Sequence, residues 1–106
     1  MVSVIQLLKV QGDIMETLED MRKSIDNIDN AIVAMFAERF KVTNRVGHFK
    51  AENGLPSKDP DRESNQYKRV NVLARQYGLD PEFAEGYLSA VIFKVIQNHE
   101  EIAKNF

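Results

Sequence analysis

ETLEDMRKSIDNIDNAIVAMFAERFKVTNRVGHFKAE, residues 16–52, contains no proline and no interior turn signal. Within it Leu18, Met21, Ile25, Ile28, Ile32, Met35, Val42, Val46 and Phe49 recur at spacings that alternate between three and four. That period predicts one amphipathic helix. At 1.5 Å per residue the helix would be roughly 50 Å long, against a radius of gyration of about 13 Å for a compact chain of this size. A helix of that length needs a partner along it. The series 28, 32, 35, 39, 42, 46 also places Arg39 where a core residue should stand. A guanidinium in an apolar seam needs an anion, unless it snorkels or pairs with a buried carboxylate. Lys50 lies about 20° from Arg39 around the helix and roughly 16 Å along it, so both cations point the same way. Arg22 is rotated from Arg39 by about 100° and set back about 25 Å, too far to share one ligand within a chain. An antiparallel pair of such helices related by a two-fold axis could bring Arg22 of one subunit to Arg39 of the other. Without such pairing, Arg22 and Lys50 read as solvated charges.

Outward from this helix, Asn53-Gly54-Leu55-Pro56-Ser57 supplies a glycine and a proline that turn the chain. Asp59-Pro60 reads as an N-cap followed by proline at the first helical position, opening a second helix that runs to about Tyr77 with Tyr67, Val70, Leu73 and Ala74 inward. After Gly78, Asp80-Pro81 repeats the signal. The third helix, with Phe83, Tyr87, Leu88, Val91, Ile92, Val95, Ile96 and Ile102 as its apolar side, runs nearly to the C-terminus. No strand pattern competes, so the fold class is all-α: one long helix and two shorter ones. Residues 1–15 read as an N-terminal extension to a domain over 16–106.

Composition narrows the chemistry. The 106 residues make one domain, and the net charge of −2 offers no basic excess for nucleic acid or an anionic membrane. No stretch approaches the roughly 20 apolar residues of a membrane span, and Met1–Val10 lacks a charged start, so the expected compartment is the cytoplasm. With no cysteine and only His48 and His99, disulfides, thiolate nucleophiles and the common zinc sites are excluded, and no metal or other cofactor is expected. There is no nucleophile elbow, phosphate loop or glycine fingerprint.

Two further features stand out. Asp59-Pro60-Asp61-Arg62-Glu63 is explained as a cap with acids in the first turn, except for Arg62, whose charge is unfavourable at that end. His99 continues the apolar series 88, 92, 95, as a core histidine or a functional one. What remains is a helical dimer with cations aimed inward, suited to a small anionic ligand.

Met21-Arg22-Lys23-Ser24-Ile25-Asp26-Asn27-Ile28-Asp29, Ala37-Glu38-Arg39, Val46-Gly47-His48-Phe49-Lys50, Asp59-Pro60-Asp61-Arg62-Glu63 and Gly78-Leu79-Asp80-Pro81 together resemble the all-helical (type II) chorismate mutase family. The resemblance runs from about Leu18 to Ile102. It implies an intertwined homodimer of three-helix subunits, each active site completed by an arginine of the other chain. By position, Arg22 from the partner and Arg39 would bind substrate carboxylates, and Lys50 a carboxylate and the ether oxygen. Asp59 and Glu63 match positions that recognise the ring hydroxyl, with Arg62 beside them. The implied reaction is the pericyclic rearrangement of chorismate to prephenate in aromatic amino-acid biosynthesis. It needs no nucleophile, metal or redox cofactor, only a dianion held in its reactive conformer with cations where charge builds.

Two positions depart from the family pattern. His99 stands where the family usually has Gln or Glu near the ether oxygen, and is expected to supply that donor. Val95 stands where some members carry a hydroxyl for the ring carboxylate. The nearest rival reading is an isochorismate-pyruvate lyase, which usually lacks the Asp-x-x-Arg-Glu pattern. A rival of another class is a catalytically weak helical dimer that binds a ligand or a partner enzyme.

Overall fold

A computed structural model describes residues 16–106. Three helices follow one another, α1 (Leu18–Glu52), α2 (Pro60–Gln76) and α3 (Pro81–Ala103), and there is no strand among the described residues. The expected fold class is therefore found, with helix ends within about two residues of those read from the sequence. The N-terminal extension expected over residues 1–15 lies outside the described residues. Among the described residues no helix is long and apolar enough to cross a membrane.

Local chemistry sets each boundary. The Thr17 hydroxyl accepts from the Asp20 backbone N–H at 3.0 Å, while an Asp20 carboxylate oxygen accepts from the Thr17 N–H at 3.1 Å. This reciprocal pair satisfies two donors that a helix start otherwise leaves open. At the other end of α1 the Leu55 N–H donates to the Lys50 carbonyl at 2.8 Å around Gly54, whose φ of +64° is open to glycine at little cost. Helix α2 ends the same way, with Leu79 N–H on the Ala74 carbonyl at 2.8 Å around Gly78. Asp59 and Asp80 cap α2 and α3, accepting from the N–H groups of Arg62 and Glu82, and each is followed by proline.

By its internal contacts the chain divides into two units, one ending at Glu38 and the other spanning Arg39–Phe106. The first, in its described part, is the N-terminal portion of α1, and every residue there is exposed except Phe36, which is half-buried. In the second, α2 and α3 form a helical hairpin about Gly78. Asn71 donates to Glu85 at 3.3 Å across the pair, and the small side chains of Ala74 and Ala84 are buried. Leu88, Val91 and Ile92 complete the apolar core. The C-terminal part of α1 joins this unit through Gly47, its only buried residue. A Cβ there would lie 2.7 Å from Cδ2 of His99 and 3.0 Å from Cδ1 of Ile102. Glycine is what lets α3 come this close.

The structure corrects one part of the expected core. Phe83 is 63% exposed and Tyr87 39%, because the buried line of α3 begins at Ala84 and runs through Leu88, Val91 and Ile92. One residue is about 100° of helix, so Phe83 and Tyr87, four apart, share the neighbouring face. The apolar line of α1 is likewise uncovered: its nine members, Leu18 to Phe49, are between 42% and 65% exposed.

Candidate active site

A cavity of about 420 Å³ opens in the second unit. Its wall takes Arg39, Val42, Thr43, Val46 and Lys50 from α1, Asp59, Arg62, Glu63 and Gln66 from α2 and its cap, and Ile92, Val95, Ile96 and His99 from α3. Seven of the eight residues singled out in the sequence thus meet in one place: Arg39, Lys50, Asp59, Arg62, Glu63, Val95 and His99. Their separation in sequence is closed by the turn after Glu52 and the hairpin about Gly78. Arg22 lies in the other unit and is exposed.

Three cations face two carboxylates over an apolar floor of valine and isoleucine. Arg39 is half-buried, and its Nη1 is shut off from solvent with no hydrogen-bond partner among the described residues. Buried donors of this kind are nearly always satisfied, and a guanidinium is best satisfied by two parallel bonds to a carboxylate. Lys50 is also half-buried and spends one of its three protons on the Ser57 carbonyl at 3.4 Å, which draws its ammonium toward the loop before α2. Glu63 is half-buried at the inward edge of α2, whereas Arg62 is exposed at the rim. A cation at the start of a helix opposes the macrodipole, and Arg62 stands there on the wall of the cavity.

Asp59 does two things at once. One carboxylate oxygen, Oδ1, accepts the Arg62 N–H at 3.1 Å and caps α2, while the residue forms part of the cavity wall. The cap reading and the site reading of this aspartate are compatible.

His99 is 3% exposed, and its Nε2 lies 2.7 Å from the Thr43 carbonyl of α1. A carbonyl only accepts, so Nε2 carries the proton and donates it to Thr43. Nδ1 is buried with no hydrogen-bond partner among the described residues. The N–H expected to serve a ligand is therefore spent on tying α3 to α1. Val95 presents only an apolar surface to the cavity, as its side chain dictates.

Sequence reading passed over Gln66 and Thr43. Gln66 falls on the turn after Glu63, at the next position of the face that carries Arg62 and Glu63, and helical spacing alone could have placed it. Its half-buried carboxamide has no hydrogen-bond partner among the described residues. The Thr43 hydroxyl is engaged, donating to the Phe40 carbonyl at 3.2 Å.

Known proteins resemble this chain over most of its length. Residues 21–101 match the family described as chorismate mutase type II. The chain belongs to the chorismate mutase type II family. A chorismate mutase of Methanocaldococcus jannaschii is 33% identical over 86 residues, 81% of this chain and 82% of that one. The T-protein of Haemophilus influenzae is 32% identical over 74 residues, and a bifunctional chorismate mutase/prephenate dehydratase of Aquifex aeolicus 37% identical over 65. The matched segments cover 20% and 18% of those two longer proteins. The stretch shared with the chorismate mutase type II family holds Arg22 and all thirteen residues of the cavity wall.

Proposed function

We propose that the cavity between α1, α2 and α3 is where this chorismate mutase converts chorismate to prephenate. The observation that carries the assignment is the convergence of Arg39, Lys50, Arg62, Asp59 and Glu63 on one partly apolar cavity, with a buried guanidinium nitrogen that no group among the described residues satisfies. Chorismate is a dicarboxylate with a ring hydroxyl and an ether bridge. Arg39 and Lys50 pair with carboxylates, and Asp59 and Glu63 accept the hydroxyl proton. Arg62 balances those acids at the rim.

In the rearrangement a carbon–oxygen bond breaks and a carbon–carbon bond forms within the same molecule, so no atom is gained or lost and no cofactor is needed. Catalysis comes from restricting the dianion to its compact conformer and from cations facing the oxygen on which negative charge grows. Lys50, with two protons beyond the one held by Ser57, is the cation we assign to that charge. His99 acts indirectly, as a positioning residue that holds α3 on the catalytic segment of α1 through the Thr43 carbonyl.

The uncovered line on α1 is the second support. Leu18, Met21, Ile25, Ile28, Ile32 and Met35, with Val42, Val46 and Phe49 beyond, follow a heptad spacing, and such a line is covered by another helix when it is stable in water. We assign the partner as a second copy of this chain, whose Arg22 completes the carboxylate site. The reading places the reaction in the cytoplasm, with no nucleic acid or membrane involved.

Purified protein given chorismate should form prephenate, and isochorismate should yield little salicylate and pyruvate. Arg39→Ala removes a charge-assisted bond of about 1.5–3 kcal/mol or more, so kcat/KM should fall at least tenfold. Unchanged turnover by the Arg39→Ala protein would remove this cavity from the reaction.

A further inference from the structure

We infer that the Gln66 carboxamide donates a hydrogen bond to the uncharged, proton-free oxygen of the bound dianion, the ether oxygen that Lys50 also faces, and so adds a neutral donor beside the cation. The inference rests on the reading that this cavity binds chorismate.

The cavity's polar groups sort by what they can exchange. Carboxylates of a ligand go to the cations, because charge-assisted bonds are roughly twice as strong as neutral ones. A ligand hydroxyl gives its proton to Asp59 or Glu63, which can only accept. An oxygen with neither charge nor proton requires a donor, and a neutral donor serves it without competing for the carboxylates. Three polar side chains that are neither carboxylates nor Lys or Arg line the cavity. The Thr43 hydroxyl donates to the Phe40 carbonyl at 3.2 Å. The Nε2 proton of His99 is held by the Thr43 carbonyl at 2.7 Å. Gln66 alone of the three has no partner among the described residues, and its side chain is half-buried on the wall. It sits one turn beyond Arg62 and Glu63, on a helix whose start is fixed by the Asp59 cap. Its amide is open to water in the cavity, and a ligand oxygen that displaces that water takes over the N–H.

Two substitutions test this. Gln66→Leu keeps the helix-forming character and approximate volume but removes the donor. Gln66→Glu replaces it with a group that donates only when protonated, for which the reference pKa is about 4.3. The other charged and titratable groups on the wall are Arg39 and Lys50 of α1, Asp59 and its neighbours Arg62 and Glu63, and His99 of α3. Their own titration is removed by taking each activity as a ratio to the wild-type protein at the same pH.

Chorismate turnover is measured from pH 8 to pH 5, with helicity and thermal midpoint recorded for each protein. Gln66→Leu should lose about tenfold to a hundredfold in kcat/KM with an unchanged fold. Gln66→Glu should be as weak or weaker at pH 8, and its ratio to wild type should climb as the pH falls. A Gln66→Leu protein within twofold of wild type overturns the inference and leaves the assignment of the cavity standing. A Gln66→Glu protein as active as wild type at pH 8, where its carboxylate cannot donate, also overturns it. Wild-type protein that leaves chorismate unchanged would sink both.

Discussion

Replacing Gly47 by alanine sets two effects of known size against each other. In a helix interior alanine is favoured over glycine by about 1 kcal/mol. The new methyl, however, would lie 2.7 Å from Cδ2 of His99, 3.3 Å from its Nε2 and 3.0 Å from Cδ1 of Ile102. Carbon atoms pack comfortably at about 3.5–4.0 Å, so the ring must retreat by roughly 0.8 Å. Ile102 can give way by rotating its terminal methyl, but the imidazole is anchored by the 2.7 Å bond to the Thr43 carbonyl. A retreat of that size takes the bond past hydrogen-bonding distance and leaves a buried donor unsatisfied, at about 1–3 kcal/mol, on top of about 1–3 kcal/mol for overpacking. The overlap wins, and Gly47→Ala should destabilise the protein by about 1–5 kcal/mol. Urea titration at fixed protein concentration measures it, because any self-association makes stability concentration-dependent. The same substitution made in a His99→Ala background meets no ring and should stabilise by up to about 1 kcal/mol. If Gly47→Ala is as stable as wild type with His99 present, the close approach of α3 to α1 described here is wrong.

Three further outcomes separate roles that overlap in the folded chain. Asp59→Ala should lose about 0.5–2 kcal/mol of stability with the cap, whereas Asp59→Asn keeps a capping acceptor. Both should lower chorismate turnover if the carboxylate also meets the ligand, and thermal melts beside kinetics distinguish the two. Ile32→Glu places a charge in the middle of the exposed apolar line, and sedimentation should show a shift toward monomer, with activity lost in parallel. Arg22→Ala and Arg39→Ala proteins, each inactive, should regain about a quarter of wild-type activity when unfolded together and refolded as a mixture, because half the dimers would carry one intact site. No recovery would remove Arg22 from the partner's site.

Much of the fold is legible in the residues because its determinants are local. Proline after aspartate at positions 60 and 81, and glycine at 54 and 78, mark boundaries through backbone geometry and capping that involve only a few neighbours. The placement of Arg39 and Lys50 on one side of α1 is also a matter of period. That Asp59, Arg62 and Glu63 of α2 and its cap would meet them is what the resemblance implied, and the cavity has all five on its wall.

What spacing cannot reveal is which partner a side chain takes once the helices close. His99 occupies the expected cavity, yet its proton goes to the Thr43 carbonyl, a bond across 56 positions of sequence that depends on Gly47 admitting the ring. Phe83 and Tyr87 fit an apolar pattern, but the rotation of α3 against α2 buries Ala84 in their place, in line with the expected Leu88. The sequence by itself determined three capped helices, a heptad line along the first, and a set of cations and acids at matching turns. Only the tertiary structure decided which donors are already engaged and which, as at Arg39, take no partner among the described residues. The physical reason is that caps and periodicity are satisfied within a few residues, whereas a hydrogen bond between helices is settled only by how closely they pack.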